Sequence, residues 1–475
     1  MARSRDQATD SDARALTVER WASAAPTESA ERDRNLDVGV YDAWTMDPDE
    51  PRPLSLLKSR RYTHRVFRFP GSFHPPLVQA ILRRHRNVRL VGDPMVGVGT
   101  TALYAVASGH NALVADLDPL ACLLTRGKTI PIDPSVLLAL IHAIMEETGP
   151  IGYRAPVGLT PAEAILELEQ STPCRAPPSV FHWFHPTIAR DLARVLTAAH
   201  NVLRRRPAGE RDAVMTVIAS TIRRVSRADP QPVSGLEVTD VNRRKLAAGL
   251  RFDLQAELVD RAESLSQGYA ELLHRPRLGK VRVIQGDART WSRVCLETRE
   301  QPELQILSPP YLNAIEYWRR HRLEYFWLGL VDRDEYVSMS HRFFGARAVR
   351  KSIRTGLEDG SSPSVLQLSS SLAAAGFSHD ADSVRQYFCD AAVWLKEVGT
   401  VCAAANGDVY IIVGPSIRRG QLINTPKLLS ALAQAIGLEL VGGSVHRIIN
   451  QRMQFPLRND GGIRTETVLH LRSRK

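Results

Sequence analysis

The chain has 475 residues, and 44% of them are hydrophobic, which is enough for one large domain with an insertion or for two or three ordinary domains. Its formal net charge is +11, but residues 1–50 hold twelve Asp or Glu against six Arg, so the remaining chain carries +17. A basic body of this kind favours a nucleic acid over a membrane as partner, because no apolar run reaches the roughly 18 residues that would span a bilayer.

Cysteine usage and the N-terminus together predict a cytoplasmic protein. The cysteines show neither a C-x-x-C spacing nor a neighbouring His pair, which argues against a disulfide framework and against a structural zinc site. Met1 to Asp12 is polar and no apolar core follows it, so no signal peptide is predicted. Residues 1–50 contain few large apolar side chains, and we expect this acidic leader to be disordered. The five cysteines are Cys122, Cys174, Cys295, Cys389 and Cys402.

The first folded unit is predicted from a strand, a glycine loop, a helix and a second strand in succession. Val88–Gly92 is typical of a buried strand, Thr100–Ser108 of an amphipathic helix, and Ala112–Ala115 of a strand that ends at Asp116. This order is typical of the nucleotide-binding half of a doubly wound sheet. In such a half, glycines let the backbone approach a ligand and an acid accepts hydrogen bonds from ribose hydroxyls.

The predicted ligand can be narrowed from the sequence of the glycine loop, Asp93-Pro94-Met95-Val96-Gly97-Val98-Gly99. The loop continues as Thr100-Thr101 and so lacks a Walker lysine, which disfavours ATP hydrolysis. Ala102 stands where a dinucleotide fingerprint has its third glycine. S-adenosylmethionine carries an adenosine without phosphates, so it fits a ribose-binding acid beside this loop better than NAD does.

Residues 131–279 change to a pattern of long helices, which predicts a helical insertion within the sheet domain. Its basic clusters make this insertion the candidate nucleic-acid surface. The predicted helices are Pro134–Glu147, Pro161–Gln170, Pro186–Arg206, Arg211–Ser226 and Asn242–Leu273. The basic clusters are Arg204-Arg205-Arg206, Arg223-Arg224 with Arg227, and Arg243-Arg244-Lys245.

The sheet resumes after the insertion with two strands that end in polar residues. Val281–Asp287 is a predicted strand that ends in Gly286-Asp287, and the predicted strand Gln305–Leu307 leads into Ser308. Ligands collect at the carboxyl ends of strands in such sheets, so the polar strand ends should lie together. Four side chains are therefore expected to face one crevice: Asp93, Asp116, Asp287 and Ser308.

The tetrapeptide Ser308-Pro309-Pro310-Tyr311 forms a rigid polar tip at the end of its strand. Two consecutive prolines supply no backbone N–H, so the strand ladder stops there. The tip offers the Ser308 hydroxyl, backbone carbonyls and the aromatic face of Tyr311, a set suited to a flat ring that bears an amine.

The remaining chain completes the predicted α/β domain. Residues 340–363 are basic and rich in Gly or Ser, with Arg342, Arg347, Arg350, Lys351 and Arg354, and we expect them to form a mobile loop that clamps a nucleic-acid strand. The other predicted elements are helices at Tyr317–Leu330, Asp380–Val398 and Thr425–Ile436, a strand at Val409–Val413, and a closing strand pair, Leu438–Ile448 with Glu466–Arg472.

Taken together, these residues resemble the S-adenosylmethionine-dependent amino-methyltransferases of DNA, which act on cytosine N4 or adenine N6. Ser308–Tyr311 matches the catalytic motif of that family, the Asp93–Thr101 loop resembles its cofactor loop, and Asp116 matches its ribose-binding acid. Phe69–Pro75 is similar to the segment that closes over the methionine moiety. The cofactor loop departs from the usual pattern at Met95 and Val98, and Ser72 stands where many relatives have Lys, so altered rather than absent cofactor affinity is expected.

The resemblance implies a fold, a cofactor and a partner. The fold is α/β, a doubly wound, seven-stranded Rossmann-like sheet, with residues 51–130 as cofactor half, 131–279 as target-recognition insertion and 280–475 as catalytic half. The cofactor is S-adenosyl-L-methionine and the partner is double-stranded DNA. The residues assigned to the cofactor are Phe73, His74, Asp93, Pro94, Gly97, Gly99, Thr100, Thr101, Asp116, Asp118 and Asp287, and those assigned to catalysis are Ser308, Pro309, Pro310 and Tyr311.

The implied chemistry is methylation of an exocyclic amine whose lone pair is delocalised into the ring. Ser308 and the Pro309 carbonyl would accept the hydrogens of the amine, and Tyr311 would stack on the extruded base, with no need for a metal or a catalytic cysteine. Ser at the first motif position favours cytosine N4 slightly over adenine N6. Two alternatives stay open: an RNA enzyme acting on a tRNA guanine amine, and an inactive nucleic-acid-binding relative. The recognition sequence, the oligomeric state and any restriction or defence partner are not predicted.

Overall fold

The computed structural model describes residues 61–67, 74–151, 180–229, 236, 238–247, 252–312, 316–345, 349–350, 353, 362–447 and 465–474. The predicted leader, Phe73, and the predicted helix Pro161–Gln170 lie outside these residues. No helix in this described part of the chain is both long enough and apolar enough to cross a membrane.

The described chain is organised around a seven-stranded sheet. Its strands are β1 (Leu90–Asp93), β2 (Asn111–Asp116), β3 (Val281–Gln285), β4 (Leu304–Leu307), β5 (Asp408–Val413), β8 (Leu438–Arg447) and β9 (Thr465–Ser473), while β6 (Ser416–Arg418) and β7 (Gln421–Ile423) form a separate hairpin. The order is β3-β2-β1-β4-β5-β9-β8, with β1 to β5 parallel and β9 antiparallel to both of its neighbours. The predicted α/β class with a seven-stranded Rossmann-like sheet is confirmed.

Helices cover both faces of this sheet. They are α1 (Pro75–Arg84), α2 (Thr100–Ala107), α3 (Pro119–Thr129), α4 (Pro134–Thr148), α5 (Val180–Trp183), α6 (Pro186–Leu203), α7 (Ala208–Ile222), α8 (Asp240–Ala247), α9 (Leu254–Leu273), α10 (Trp291–Thr298), α11 (Tyr317–Arg320), α12 (Arg322–Trp327), α13 (Arg333–Arg342), α14 (Pro363–Ala374), α15 (Ser378–Ala405) and α16 (Thr425–Ala435).

The core is divided by the sheet into two layers, and β5 shows why. Tyr410 and Ile412 point into a cluster shared with α1, α2, α3, α4, α6, α7 and α9. Val409, Ile411 and Val413 point into the opposite cluster, with α10, α14, α15 and α16. A parallel strand covered on both faces is apolar at successive positions, which is the pattern this segment shows.

Two predicted helices are interrupted in the structure. Asn242–Leu273 is not continuous, because Phe252 and Asp253 are not helical and the Asp253 carboxylate accepts a hydrogen bond from the Ala256 backbone N–H at 2.9 Å, which starts α9 afresh. Tyr317–Leu330 breaks at His321, between α11 and α12. The prediction also missed α3, α10, α13, α14 and the β6-β7 hairpin.

Candidate functional site

A cleft opens at the carboxyl ends of β1, β2 and β4 and has an empty volume of about 770 Å³. Three of the four strand-end side chains expected in one crevice line it, namely Asp116, Asp287 and Ser308, whereas Asp93 is fully buried beneath it. The cleft lining includes eight residues assigned above to cofactor or catalysis: Pro94, Gly97, Thr100, Asp116, Asp118, Asp287, Ser308 and Pro310. Gly99, Thr101, Pro309, Tyr311 and His74, which precedes α1, are described but do not line it.

The glycine loop is held in a shape that side chains would obstruct. Gly97 and Gly99 have φ values of +52° and +82°, in the left-handed region. A Cβ on Gly99 would lie 2.9 Å from the Thr125 hydroxyl oxygen. The fully buried Lys128 donates from Nζ to the Val98 carbonyl at 2.5 Å, so α3 fixes the loop from behind. Sequence reasoning missed Lys128, because its neighbours Arg126, Gly127 and Thr129 give no local sign that it is buried.

Asp93 supports the loop from inside the protein. Its carboxylate accepts a hydrogen bond from the Met95 backbone N–H at 3.0 Å. Burial raises the pKa of this carboxyl to about 7, against the opposing effect of the nearby Thr101 hydroxyl and of the hydrogen bond from the Met95 N–H. The Thr101 hydroxyl donates to the Ile306 carbonyl at 3.1 Å and thereby ties the loop to β4. Both residues therefore act on the shape of the cleft from beneath it.

Asp116 lines the cleft and fixes the conformation of the glycine loop through its carboxylate. It accepts the Gly97 N–H at 2.7 Å with one oxygen and the Asp118 N–H at 2.9 Å with the other. Burial, and then the neighbouring Asp118, raise the pKa of the Asp116 carboxyl to about 7. A carboxylate at the end of β2, beside a close backbone turn, is well placed to accept hydrogen bonds from hydroxyls of a ligand.

Asp118 is committed to contacts within the protein on both of its oxygens. One oxygen caps α3 by accepting the Leu120 N–H at 2.8 Å and the Ala121 N–H at 3.3 Å. The other contacts His321 Nδ1 at 2.8 Å, which joins the cofactor loop to the helical segment that follows the Ser308–Tyr311 tip.

Asp287 is neutralised by an arginine two residues later. Arg289 donates to both oxygens of Asp287, at 3.0 Å and 2.7 Å, and to Asp390 at 3.1 Å. It also donates to the Arg342 carbonyl at 2.6 Å, so it connects the end of β3 with α15 and α13. Arg350, predicted to clamp a nucleic-acid strand, forms an ion pair with Asp390 at 3.0 Å.

Of the other four residues predicted to clamp a nucleic-acid strand, one is described by the structure and three are not. Arg342 ends α13 and belongs to the lining of the cleft. Arg347, Lys351 and Arg354 lie outside the described residues.

Two distant residues hold the Ser308-Pro309-Pro310-Tyr311 tip. Tyr387 of α15 donates its hydroxyl to the Pro310 carbonyl at 2.9 Å, and the Tyr311 hydroxyl donates to Glu466 of β9 at 3.0 Å. Burial raises the pKa of Glu466, although the hydrogen bond from Tyr311 lowers it. Burial also raises the pKa of Tyr311 well above its ordinary value, followed by the effect of Glu466. Sequence reasoning missed Tyr387 and Glu466, since no local motif marks either.

One group of possible metal ligands occurs in the described part of the chain, and it is remote from the cleft. The ligand atoms of His85, Asp408 and His470 lie within 4.8 Å of one another at the start of β5, which is the end of the sheet opposite Ser308. Arg472 donates to Asp408 at 2.6 Å and His470 contacts the same carboxylate at 2.5 Å. The carboxylate is thus already neutralised by an arginine, which disfavours a divalent cation there.

Comparisons with known proteins give two partial similarities. A stretch of 96 residues is 30% identical to the Type II methyltransferase M.MjaII of Methanocaldococcus jannaschii and covers 20% of this chain and 18% of that protein. A stretch of 83 residues is 29% identical to the Type II methyltransferase M.MvaI of Kocuria varians and covers 17% of this chain and 18% of that protein. The chain therefore spans less than a fifth of the length of either relative in these alignments. No family model matches it. The two similarities and the seven-stranded sheet support a relationship to methyltransferases.

Proposed function

We propose that this protein transfers a methyl group from S-adenosylmethionine to the exocyclic amine of a base in double-stranded DNA, with cytosine N4 favoured over adenine N6. The observation that carries the proposal is that Ser308 and Asp116, which follow or end the strands on either side of β1, both line one cleft. An amine acceptor and a ribose acceptor in one cavity suit a reaction between a nucleoside cofactor and an amine-bearing ring. The similarity to two Type II methyltransferases supports the same reaction class.

The cleft fits S-adenosylmethionine by its shape and by its donor set. Gly97 lines the cleft, has no side chain and has a φ of +52°, so the loop backbone is accessible to a ligand at this position. Asp116 supplies a carboxylate for ribose hydroxyls, and Met95 and Phe344 supply apolar surface for a purine. When bound, the cofactor would supply an electrophilic methyl group on a sulfonium.

The tip residues of this chain then have separate roles. As the family resemblance implies, the acceptors proposed for the two amine hydrogens are the Ser308 hydroxyl oxygen and the Pro309 carbonyl, while the Pro310 carbonyl accepts the Tyr387 hydroxyl at 2.9 Å. Holding both hydrogens draws the nitrogen towards tetrahedral geometry and exposes its lone pair. The ring of Tyr311 stacks on the extruded base, and the contact with Glu466 fixes the orientation of that ring.

The proposal is tested by nucleoside mass spectrometry of unmethylated genomic DNA incubated with the protein and isotopically labelled cofactor. We expect N4-methylcytosine, and a Ser308→Ala variant should lose about 100-fold in rate, the scale seen when one preorganised transition-state contact is removed. Calorimetry with S-adenosylmethionine checks that this variant still binds the cofactor.

The other outcomes discriminate among the alternatives. Labelled N6-methyladenine in the DNA would move the target from cytosine to adenine. Methylation of tRNA with none of duplex DNA would replace the substrate by RNA. A parent protein that binds no cofactor would be an inactive relative, and the proposed reaction would be wrong.

A further inference from the structure

A second cavity, with an empty volume of about 1060 Å³, lies among the helices that separate β2 from β3 along the chain. Its polar lining consists of His182, His185, Arg227 and Arg243, and its apolar lining includes Phe252. No acidic side chain of the described residues contributes to this lining. We call it the basic cavity. Two guanidinium groups, two imidazoles and an aromatic ring around one concavity have the chemistry of a surface for a nucleic-acid backbone.

The positive charge of Arg227 is not neutralised by a carboxylate of the described residues. Its backbone N–H donates to the Trp183 carbonyl at 2.6 Å, and its guanidinium donates to the Phe181 carbonyl at 3.4 Å. These contacts fix the side chain at the cavity wall without cancelling its charge. Burial lowers the pKa of His185, and the positive charge of Arg227 lowers it further.

Arg243 adds a second, more accessible charge. It forms an ion pair with Asp240 at 2.8 Å, but the two side chains are 64% and 84% exposed. An ion pair so exposed is worth little, roughly 0–1 kcal/mol, so the guanidinium can turn to a phosphate at small cost.

The basic cavity and the cleft share a helical segment. Trp183 ends α5, and Arg322 of α12 lies over its ring at 5.2 Å. The next residue, Phe184, packs edge-on against Trp327 of α12, with ring centroids 5.6 Å apart. His321, which precedes α12, contacts Asp118 of the cleft at 2.8 Å. The cavity therefore adjoins the helical segment that follows the Ser308–Tyr311 tip, and this segment connects it with the cleft.

The structure also separates the three basic clusters of the sequence. Arg227 and Arg243 come from two of them and meet at the basic cavity. The third, Arg204-Arg205-Arg206, follows the C-terminal end of α6, whose N-terminal cap is His185. At about 1.5 Å per residue, the 18 residues of α6 place that cluster about 27 Å away. Arg224 is directed elsewhere, to Glu257 at 2.5 Å.

We propose that the basic cavity binds the phosphate backbone of duplex DNA beside the target base, with Arg227 and Arg243 as the phosphate contacts. This rests on the proposed function, because it makes duplex DNA the occupant. Phosphates set the register of a bound duplex without reading its sequence, so the cavity would position the DNA and leave base selection to other side chains.

The test is the salt dependence of binding to a fluorescent duplex, followed by anisotropy for the parent, Arg227→Gln, Arg243→Ala and the double variant. Each lost phosphate contact should make the slope of log affinity against log salt shallower by about 0.9. The double variant should thus lose nearly two units of slope, and its affinity at low salt should fall at least tenfold. Arg243 is exposed, so Arg243→Ala keeps the test valid even if Arg227→Gln proves unstable on thermal melting.

The matched control is Arg205→Ala, which removes the same charge from the exposed far end of the helical region. It should keep the parent slope. A parent-like slope in the double variant, an equal loss in Arg205→Ala, or a parent that does not bind duplex DNA would each overturn the proposal. Methylation is measured separately. If the protein methylates DNA and the double variant keeps the parent slope, the proposed function stands and the role of the basic cavity is wrong. If the double variant loses slope but the protein methylates no DNA, the role of the cavity stands and the proposed function is wrong.

Discussion

The contact between Tyr311 and Glu466 leads to a prediction about turnover. Glu466→Ala removes the acceptor that holds the Tyr311 hydroxyl at 3.0 Å and so frees the ring that is proposed to stack on the target base. Glu466→Gln keeps an oxygen acceptor of the same shape. The two variants therefore differ in whether the orientation of Tyr311 is maintained, and neither changes a residue that lines the cleft.

The expected size of the effect follows from the hydrogen bond. A hydrogen bond of this kind contributes a net free energy of about 0.5–1.5 kcal/mol. Because about 1.4 kcal/mol corresponds to a tenfold change in rate, complete loss of the contact in the transition state lowers the methyl-transfer rate of Glu466→Ala by about twofold to tenfold. Glu466→Gln should stay within about twofold of the parent.

The assay is single-turnover methylation of DNA with saturating cofactor, together with calorimetric cofactor affinity and the melting temperature. We expect the rate to fall in Glu466→Ala, the cofactor affinity to stay at the parent value, and Glu466→Gln to restore the rate. Glu439→Ala on the neighbouring edge strand β8, where the side chain is exposed, is the matched control. Parent rates in Glu466→Ala, or an equal loss in the Gln variant, would refute the positioning role.

Two further predictions concern the cofactor loop. Gly99→Ala adds a Cβ 2.9 Å from the Thr125 hydroxyl oxygen at a φ of +82°, whereas the control Gly376→Ala has a φ of +85° and open space around its Cβ. Thermal melting should therefore show a larger loss of unfolding free energy for Gly99→Ala than for Gly376→Ala, by more than about 1 kcal/mol. Calorimetry should show a weaker cofactor affinity for Gly99→Ala. Equal losses would exclude the clash. Asp93 is protonated in the folded state up to a pKa of about 7, so its contribution to the unfolding free energy is lost as pH rises from about 4 to 7. Asp93→Asn should therefore gain melting temperature relative to the parent between about pH 5 and pH 8, and a constant difference would contradict this account.

Local signals were sufficient for most of the sheet. Strands β2, β4, β5, β8 and β9 were predicted within one residue of their observed bounds, because each is a short apolar or alternating run, whereas β3 ends two residues before the predicted Asp287. The start of α3 also had a local signal, Asp118 as cap followed by Pro119, which the prediction left unused.

Helix interruptions were harder to predict, because they depend on partners elsewhere in the chain. The break between α11 and α12 falls at His321, whose ring contacts Asp118, 203 residues earlier. Arg350 also depends on a distant partner. Composition alone predicted that it contacts nucleic acid from a mobile loop, whereas in the fold it forms an ion pair with Asp390.

The sequence by itself determined the doubly wound sheet and the chemical character of its strand ends, because both follow from short runs of residues whose hydrophobicity, glycines and prolines act locally. Only the tertiary structure decided how the Ser308-Pro309-Pro310-Tyr311 tip is held. Its hydrogen bonds reach Tyr387 and Glu466, 77 and 155 residues away from their partners in the chain. Likewise, Arg227 and Arg243 became one basic cavity only when α5, α6 and α8 were packed together. Pairings across such distances depend on how helices and strands pack, and no local spacing encodes them.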